Sequence, residues 1–186
     1  MKLRLRIALA AIACMGIAGI SAVAAQQDPM VGGAAMYPSK NIVENALNSP
    51  DHTTLVAAVK AAGLVDTLEG PGPFTVFAPT NEAFAKLPAG TVDTLLKPEN
   101  KATLNKVLTY HVVAGRVSAE DLKKMIKAGH GKAELKTVSG GSLWAMDHSG
   151  KIILQDEKGG TATVTIADVY QSNGVIHVID SVLLPN

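Results

Sequence analysis

Asn173-Gly174-Val175-Ile176-His177-Val178-Ile179-Asp180 places apolar, mostly β-branched residues on both alternating faces of a run introduced by a turn dipeptide. Side chains on a strand alternate sides with a period of two, so a run apolar on both faces belongs at the centre of a sheet, covered above and below. His177 shares a face with Val175 and Ile179 while Asp180 points the other way. These two residues therefore cannot act as a catalytic dyad along the strand, and His177 reads as a core histidine hydrogen-bonded to backbone. The strand is expected over 175–184.

Working back from this strand, short β-prone segments are separated by glycine. Segments 134–139 and 142–148 flank Gly140-Gly141, a pair that suits a tight hairpin, and 151–155 and 161–167 follow Ser149-Gly150 and Gly159-Gly160. Before Gly129 the apolar period is helical. Ile42, Val43, Ala46 and Leu47 mark one helix, and Leu55, Val56, Val59 and Ala62 before Gly63 mark a second, which Thr53 or Thr54 can cap. Thr80 caps a short helix to Leu87, another runs from about Glu99 to Thr109, and Ser118 with Asp121 three residues on opens a further one to Ala128. Phe74-Thr75-Val76-Phe77-Ala78, between Pro73 and Pro79, interrupts the helices as a strand. Helices first and a meander of strands second is an α+β arrangement, and no strand-helix-strand unit repeats often enough for a parallel sheet.

The first 25 residues have the three parts of a secretory signal: basic Lys2, Arg4 and Arg6, an apolar run from Ile7 to Ile20, and small residues at Ala22-Val23-Ala24-Ala25. The expected organisation is a signal peptide over 1–25, a linker over 26–36 holding Pro29, Gly32 and Gly33, and one domain over 37–186. Cys14, the one cysteine, falls inside the signal, so the exported chain is expected to carry no thiol, disulfide or Cys-ligated metal. Cleavage removes three positive charges and no acid, so the formal net charge of +1 becomes −2. That balance gives no general attraction to phosphate backbones or anionic lipid, and an aromatic content of 4% offers few platforms for stacking bases. Nucleic acid is not expected as a partner, nor stable membrane insertion after cleavage. The product is expected outside the cytoplasm, released or held in the periplasm or at the cell surface.

Chemistry is scarce. His52, His111, His130, His148 and His177 form no pair at a short ligand spacing, no dense group of acids resembles a calcium loop, and Ser139-Gly140-Gly141-Ser142 lacks the Gly-x-Ser-x-Gly elbow. Neither a phosphate loop nor a dinucleotide fingerprint is present, so no catalytic residue, metal or cofactor is expected. Two features remain. Tyr110-His111, set between Val107-Leu108 and Val112-Val113, either ties a helix end to the core or faces a partner. Asp168, expected at a strand end before Gln171-Ser172-Asn173-Gly174, sets a carboxylate beside Val169 and Tyr170, either as a recognition edge or as the cap of its own turn.

Three separated stretches resemble one family. Phe74-Thr75-Val76-Phe77-Ala78-Pro79-Thr80-Asn81-Glu82-Ala83-Phe84 is similar to the first signature of fasciclin-type (FAS1) domains, Tyr110-His111-Val112-Val113 to their central Tyr-His motif, and Asn173 to Asp180 with Val182-Leu183-Leu184-Pro185 to their second signature. The resemblance runs from about Tyr37 to Asn186 and is nearest to the small secreted bacterial members with a single domain. It implies a seven-stranded β-wedge packed against a group of helices, and an adhesion or matrix-interaction role rather than catalysis. In animal members an Asp-Ile pair before the second signature, with the Tyr-His region, is associated with integrin binding. The matching positions here are Asp168 and Val169, followed by Tyr170, whereas Ile166 and Ala167 depart from the animal forms. Asp168, Val169, Tyr170, Tyr110 and His111 are thus the expected partner-binding residues, for a cell-surface or extracellular-matrix protein or glycoconjugate. Because some algal members bind carotenoids, carriage of a lipophilic ligand is the alternative.

Overall fold

The computed structural model describes residues 28–186; the signal segment expected over 1–25, with Cys14, lies outside the described residues. The decisive strand, β9 (Gly174–Ile179), is buried at every residue, and it ends at Ile179 rather than Leu184. One neighbour is β3 (Phe74–Pro79), paired with it in parallel from Phe74 opposite Gly174 to Pro79 opposite Ile179. The other is β8 (Thr161–Gln171), which pairs with it antiparallel. At Gly174 a Cβ atom would sit 2.2 Å from the Phe74 carbonyl oxygen, so the close approach that starts the parallel pair requires glycine.

The chain reaches β9 through a mainly helical first half and then a meander of strands. A short hairpin of β1 (Met30–Val31) and β2 (Ala34–Ala35) precedes α1 (Ile42–Asn48), α2 (Thr53–Ala62) and α3 (Val65–Glu69). After β3 come α4 (Asn81–Ala85), α5 (Thr91–Leu95), α6 (Lys101–Tyr110), the short strand β4 (Val112–Ala114) and α7 (Ala119–Ala128). The meander β5 (Lys132–Lys136), β6 (Ser142–His148) and β7 (Lys151–Gln155) leads into β8. The seven-stranded order is β4-β3-β9-β8-β7-β6-β5. Its two edges meet where Val113 bridges Thr137 and the Val138 N–H donates to the Val112 carbonyl at 2.8 Å, so the sheet nearly closes on itself. This is the α+β wedge that the sequence motifs imply.

Near closure gives the sheet two apolar faces. Inside, Phe77, Leu143, Leu154, Ile179 and Leu183 pack with Tyr110 and with Leu122 and Ile126 of α7. Outside β3 and β9, Val76, Ala78, Ile176 and Val178 pack against α1, α2 and α6. Residues 30–36, expected to be linker, instead belong to this second core: Val31 is 3% and Met36 2% exposed. The glycines there turn a hairpin that brings two large apolar side chains onto the helices, and their burial outweighs the low local periodicity.

Capping follows the sequence at α4 and α7, adds an unforeseen box at α1, and departs from the sequence at α2. Ser118 and Asp121 form a reciprocal capping box on α7, Asn41 and Glu44 another on α1, and the Thr80 hydroxyl accepts from the Ala83 N–H on α4. Thr53 and Thr54 do not cap α2. The Asn81 side-chain oxygen accepts from the Thr54 N–H at 3.0 Å and the Thr53 hydroxyl at 3.2 Å, so α2 is capped from α4.

Candidate functional site

β8 is where the expected recognition residues meet the rest of the structure. Asp168 does not end a strand before a loop; it lies within β8, at a register shift between Ile166 and Val169, with φ +58°. Aspartate is among the few residues that tolerate this left-handed backbone, and such a bulge re-aims the side chain that carries it. The Asp168 carboxylate turns toward α7 and accepts from the Ala119 N–H at 2.7 Å. Together with the Ser118 hydroxyl, which accepts from the Asp121 N–H at 3.1 Å, it satisfies donors at the start of that helix. Asp168 is therefore half-buried and caps a helix 49 residues away in sequence rather than its own turn.

The bulge is held from beneath by His177. Its Nδ1 accepts from the Asp168 N–H at 3.2 Å, which leaves Nε2 protonated to donate to the Val117 carbonyl at 2.9 Å. The ring is fully buried and stacks on Phe77, with centroids 5.6 Å apart. Burial lowers its pKa, and the neutral tautomer ties the bulge to the segment leading into α7. The reading of His177 as a core histidine bonded to backbone is correct.

Val169 is fully buried and packs into the helical core, so it is not a surface contact. Tyr170 is 40% exposed. Partial burial and the nearby Asp168 and Asp121 carboxylates raise its phenol pKa, while Arg116 opposes the rise. Arg116 reaches across to the end of β8, its guanidinium donating to the Gln171 and Ser172 carbonyls at 3.2 and 3.4 Å. On the far side of that turn the Ser172 N–H donates to the Lys40 carbonyl at 2.9 Å.

Tyr110 and His111 are not part of this edge: they are 0% and 3% exposed. The Tyr110 hydroxyl donates to the Ser142 carbonyl at 2.6 Å and accepts from the Glu157 N–H at 3.1 Å, joining α6 to two turns of the meander. Burial, with the Glu157 and Asp156 charges adding to it, pushes the phenol up to about 12. A Cβ on Gly141 would come within 2.7 Å of the Tyr110 ring, so the second glycine of the pair serves ring packing. The His111 Nε2 accepts from the Leu183 N–H at 3.0 Å and its Nδ1–H donates to the Val107 carbonyl at 2.8 Å. Complete burial lowers its pKa to about 4. The motif pair ties a helix end to the core, and the expectation that it faces a partner is corrected.

Residues that the sequence did not single out stitch the edge to the helices. The buried Asn173 side chain accepts from the Ile42 N–H at 3.0 Å and donates to the Leu68 and Gly70 carbonyls at 2.7 and 3.0 Å. Asn45 and Gln171 pair side chain to side chain in the same buried layer. An asparagine before glycine signals a turn in sequence; its partners 103 to 131 residues away leave no local trace.

Beneath the helices a mainly apolar cavity of about 70 Å³ is lined by Val59, Leu68, Val76 and Ile176, with His52 and His111 at its margin. His52 is buried, bonds to the Ser49 hydroxyl at 2.8 Å through Nδ1, and leaves Nε2 without a hydrogen bond of normal geometry. Among the described residues no group of three or more His, Cys, Asp and Glu is placed to hold a metal ion, and no helix is long and apolar enough to cross a membrane.

Comparison with known proteins agrees with this architecture. The chain is 49% identical over 160 residues to Protein sll1483 of Synechocystis, covering 86% of this chain and 82% of that one. It is 34% identical over 172 residues to the cell surface glycolipoprotein MPB83 of Mycobacterium bovis, covering 90% and 70%. Among solved structures, a FAS1 domain pair from the insect cell adhesion molecule Fasciclin I superposes with a TM-score of 0.70 at 22% identity, over 79% of this chain and 51% of that pair, so this chain spans about half of it. The fasciclin domain model matches residues 50–185, which hold both signatures, the Tyr-His pair and all seven strands of the nearly closed sheet. On this sequence match and the shared fold, the chain belongs to the fasciclin domain family.

Proposed function

We propose that this protein is a secreted, non-enzymatic adhesion module that meets its partner, a cell-surface or matrix protein or glycoconjugate, through the β8 edge at Tyr170. Membership of the fasciclin family carries the reading, and a relative named as a cell surface glycolipoprotein supports the location. Of the five residues expected to bind, Tyr170 is exposed and Asp168 half-exposed, with the Arg116 guanidinium alongside. A partly exposed aromatic between an acid and a guanidinium fits the anchor-and-rim pattern of protein interfaces. Val169 is buried beneath this edge, and Tyr110 and His111 are buried in the core away from it.

Adhesion of purified protein to isolated envelope or cell surface tests the proposal. Tyr170→Ala should weaken adhesion, with a matched thermal midpoint, more than Asp168→Ala does, while Lys97→Ala, exposed between α5 and α6, should leave it unchanged. Equal adhesion by all three would remove the β8 edge from the interface.

The cavity supports a second reading, carriage of a small lipophilic molecule. Drug-sized ligands occupy pockets of about 300 Å³ or more, so a carotenoid requires the helices to part. A visible absorbance band on the purified protein that organic solvent extracts is the result expected for a carrier.

A further inference from the structure

The outer face of the meander carries a second surface, away from the β8 edge, that neither the family match nor the proposed function uses. The inner residues of β5, β6 and β7 form the wedge core, so the alternate residues face outward. Register places Glu134, Trp144, Gln155 and Thr161 in one cross-strand row and Lys132, Met146, Ile153 and Thr163 in the next. Trp144, the one tryptophan of the chain, is half-buried at the centre of this ledge. The Lys132 ammonium lies 4.8 Å from its ring centroid and donates to the Gln155 side-chain oxygen at 3.1 Å.

The charges there are unevenly paired. Glu134 is engaged by Lys136 at 2.8 Å and by the Ser142 hydroxyl at 2.7 Å, whereas Lys132 pairs with no carboxylate among the described residues. Lys151 adds a third cation, opposite His148 at the end of the same face. This face is thus cationic on a chain whose remainder after the signal segment is net acidic. A flat sheet presenting one aromatic ring, amide and hydroxyl groups and an unpaired ammonium suits a ring-shaped ligand that is apolar on its face, hydroxylated at its rim and anionic.

We propose that this ledge binds acidic polysaccharide, a uronic-acid sugar stacking on Trp144 while its carboxylate draws Lys132 off the indole. The ammonium over the ring occupies the position that the sugar takes, so binding exchanges a cation-π contact for a charge-assisted hydrogen bond. A nucleic acid strand finds a single stacking ring here, and a lipid surface finds no protruding apolar side chain.

Because Trp144 is the sole tryptophan, its emission reports directly on the ledge. Titration of the purified protein with polygalacturonate at low salt should shift or quench the emission saturably, and neutral dextran should not. Lys132→Ala should weaken the apparent affinity about fivefold or more, and Trp144→Ala should remove binding measured by calorimetry with the fold retained by circular dichroism. Tyr170→Ala should bind polygalacturonate normally, which separates this proposal from the adhesion edge. No emission change with polygalacturonate, unaltered affinity in Lys132→Ala, or a response confined to phosphatidylglycerol vesicles or single-stranded DNA would each overturn it.

Discussion

At the scale of single residues, His111 shows how the motif positions act. Both ring nitrogens are used in the neutral form, one donating to Val107 and one accepting from Leu183, so a second proton has no acceptor in the core. The folded pKa of about 4 lies below the ordinary 6.5. Between those values the unfolded chain takes up a proton that the folded one refuses, so stability is full above about pH 6.5 and is lost as pH falls toward 4. The difference between these two values corresponds to roughly 3 kcal/mol, and burial of His177 and His52 acts in the same direction. Urea midpoints measured from pH 7.5 to 4 should fall across this window, and His111→Gln should flatten part of the slope; a pH-independent midpoint would contradict the assignment. Tyr110→Phe removes a hydroxyl that serves two buried backbone groups and should cost about 1–3 kcal/mol in the same measurement. Asp168→Ala should cost about 1 kcal/mol through the lost cap on α7, with a substitution of Asp168 by Asn retaining part of it.

At the scale of elements, what the sequence makes legible is what local chemistry decides. β3, β6 and β7 stand where alternation, proline and glycine place them, β9 starts where expected but ends at Ile179, and the Ser118-Asp121 capping box opens α7 as its spacing predicts. The missed elements are short. α3 and α5 have five residues each and β4 three, too few for a period to register, and they exist because neighbours cover them. The β8 bulge was missed for a related reason. Its run from 161 to 171 continues through Asp168 because His177 and Ala119 hold it there, and nothing in Ile166-Ala167-Asp168-Val169 signals either contact. The Asn81 cap on α2 is likewise a tertiary contact. Asn81→Ala should destabilise by about 1 kcal/mol, seen as a lower thermal midpoint, whereas Thr53→Ala should change it little; the reverse order would restore the local cap expected from sequence.

Across the whole molecule, the nearly closed sheet divides the work. Its interior and its helix-covered face take up the polar side chains of the motifs as structure, so the Tyr-His pair, His177 and Asn173 all act by joining distant segments. What remains for recognition is the β8 edge and the outer ledge of the meander. The candidate site was legible in sequence to the extent of its location, since Tyr170 is exposed where expected. Which neighbours in the motifs point outward was not legible, because Val169, Tyr110 and His111 are placed by packing across the wedge. The central claim is that core and contact are separate sets of residues, and paired melting and adhesion measurements on His111→Ala and Tyr170→Ala test it most directly. His111→Ala should lower the thermal midpoint by several degrees, as a loss of about 1–3 kcal/mol implies, with adhesion per folded molecule unchanged. Tyr170→Ala should melt like the parent protein and adhere weakly. An unshifted midpoint with lost adhesion in His111→Ala would contradict the account.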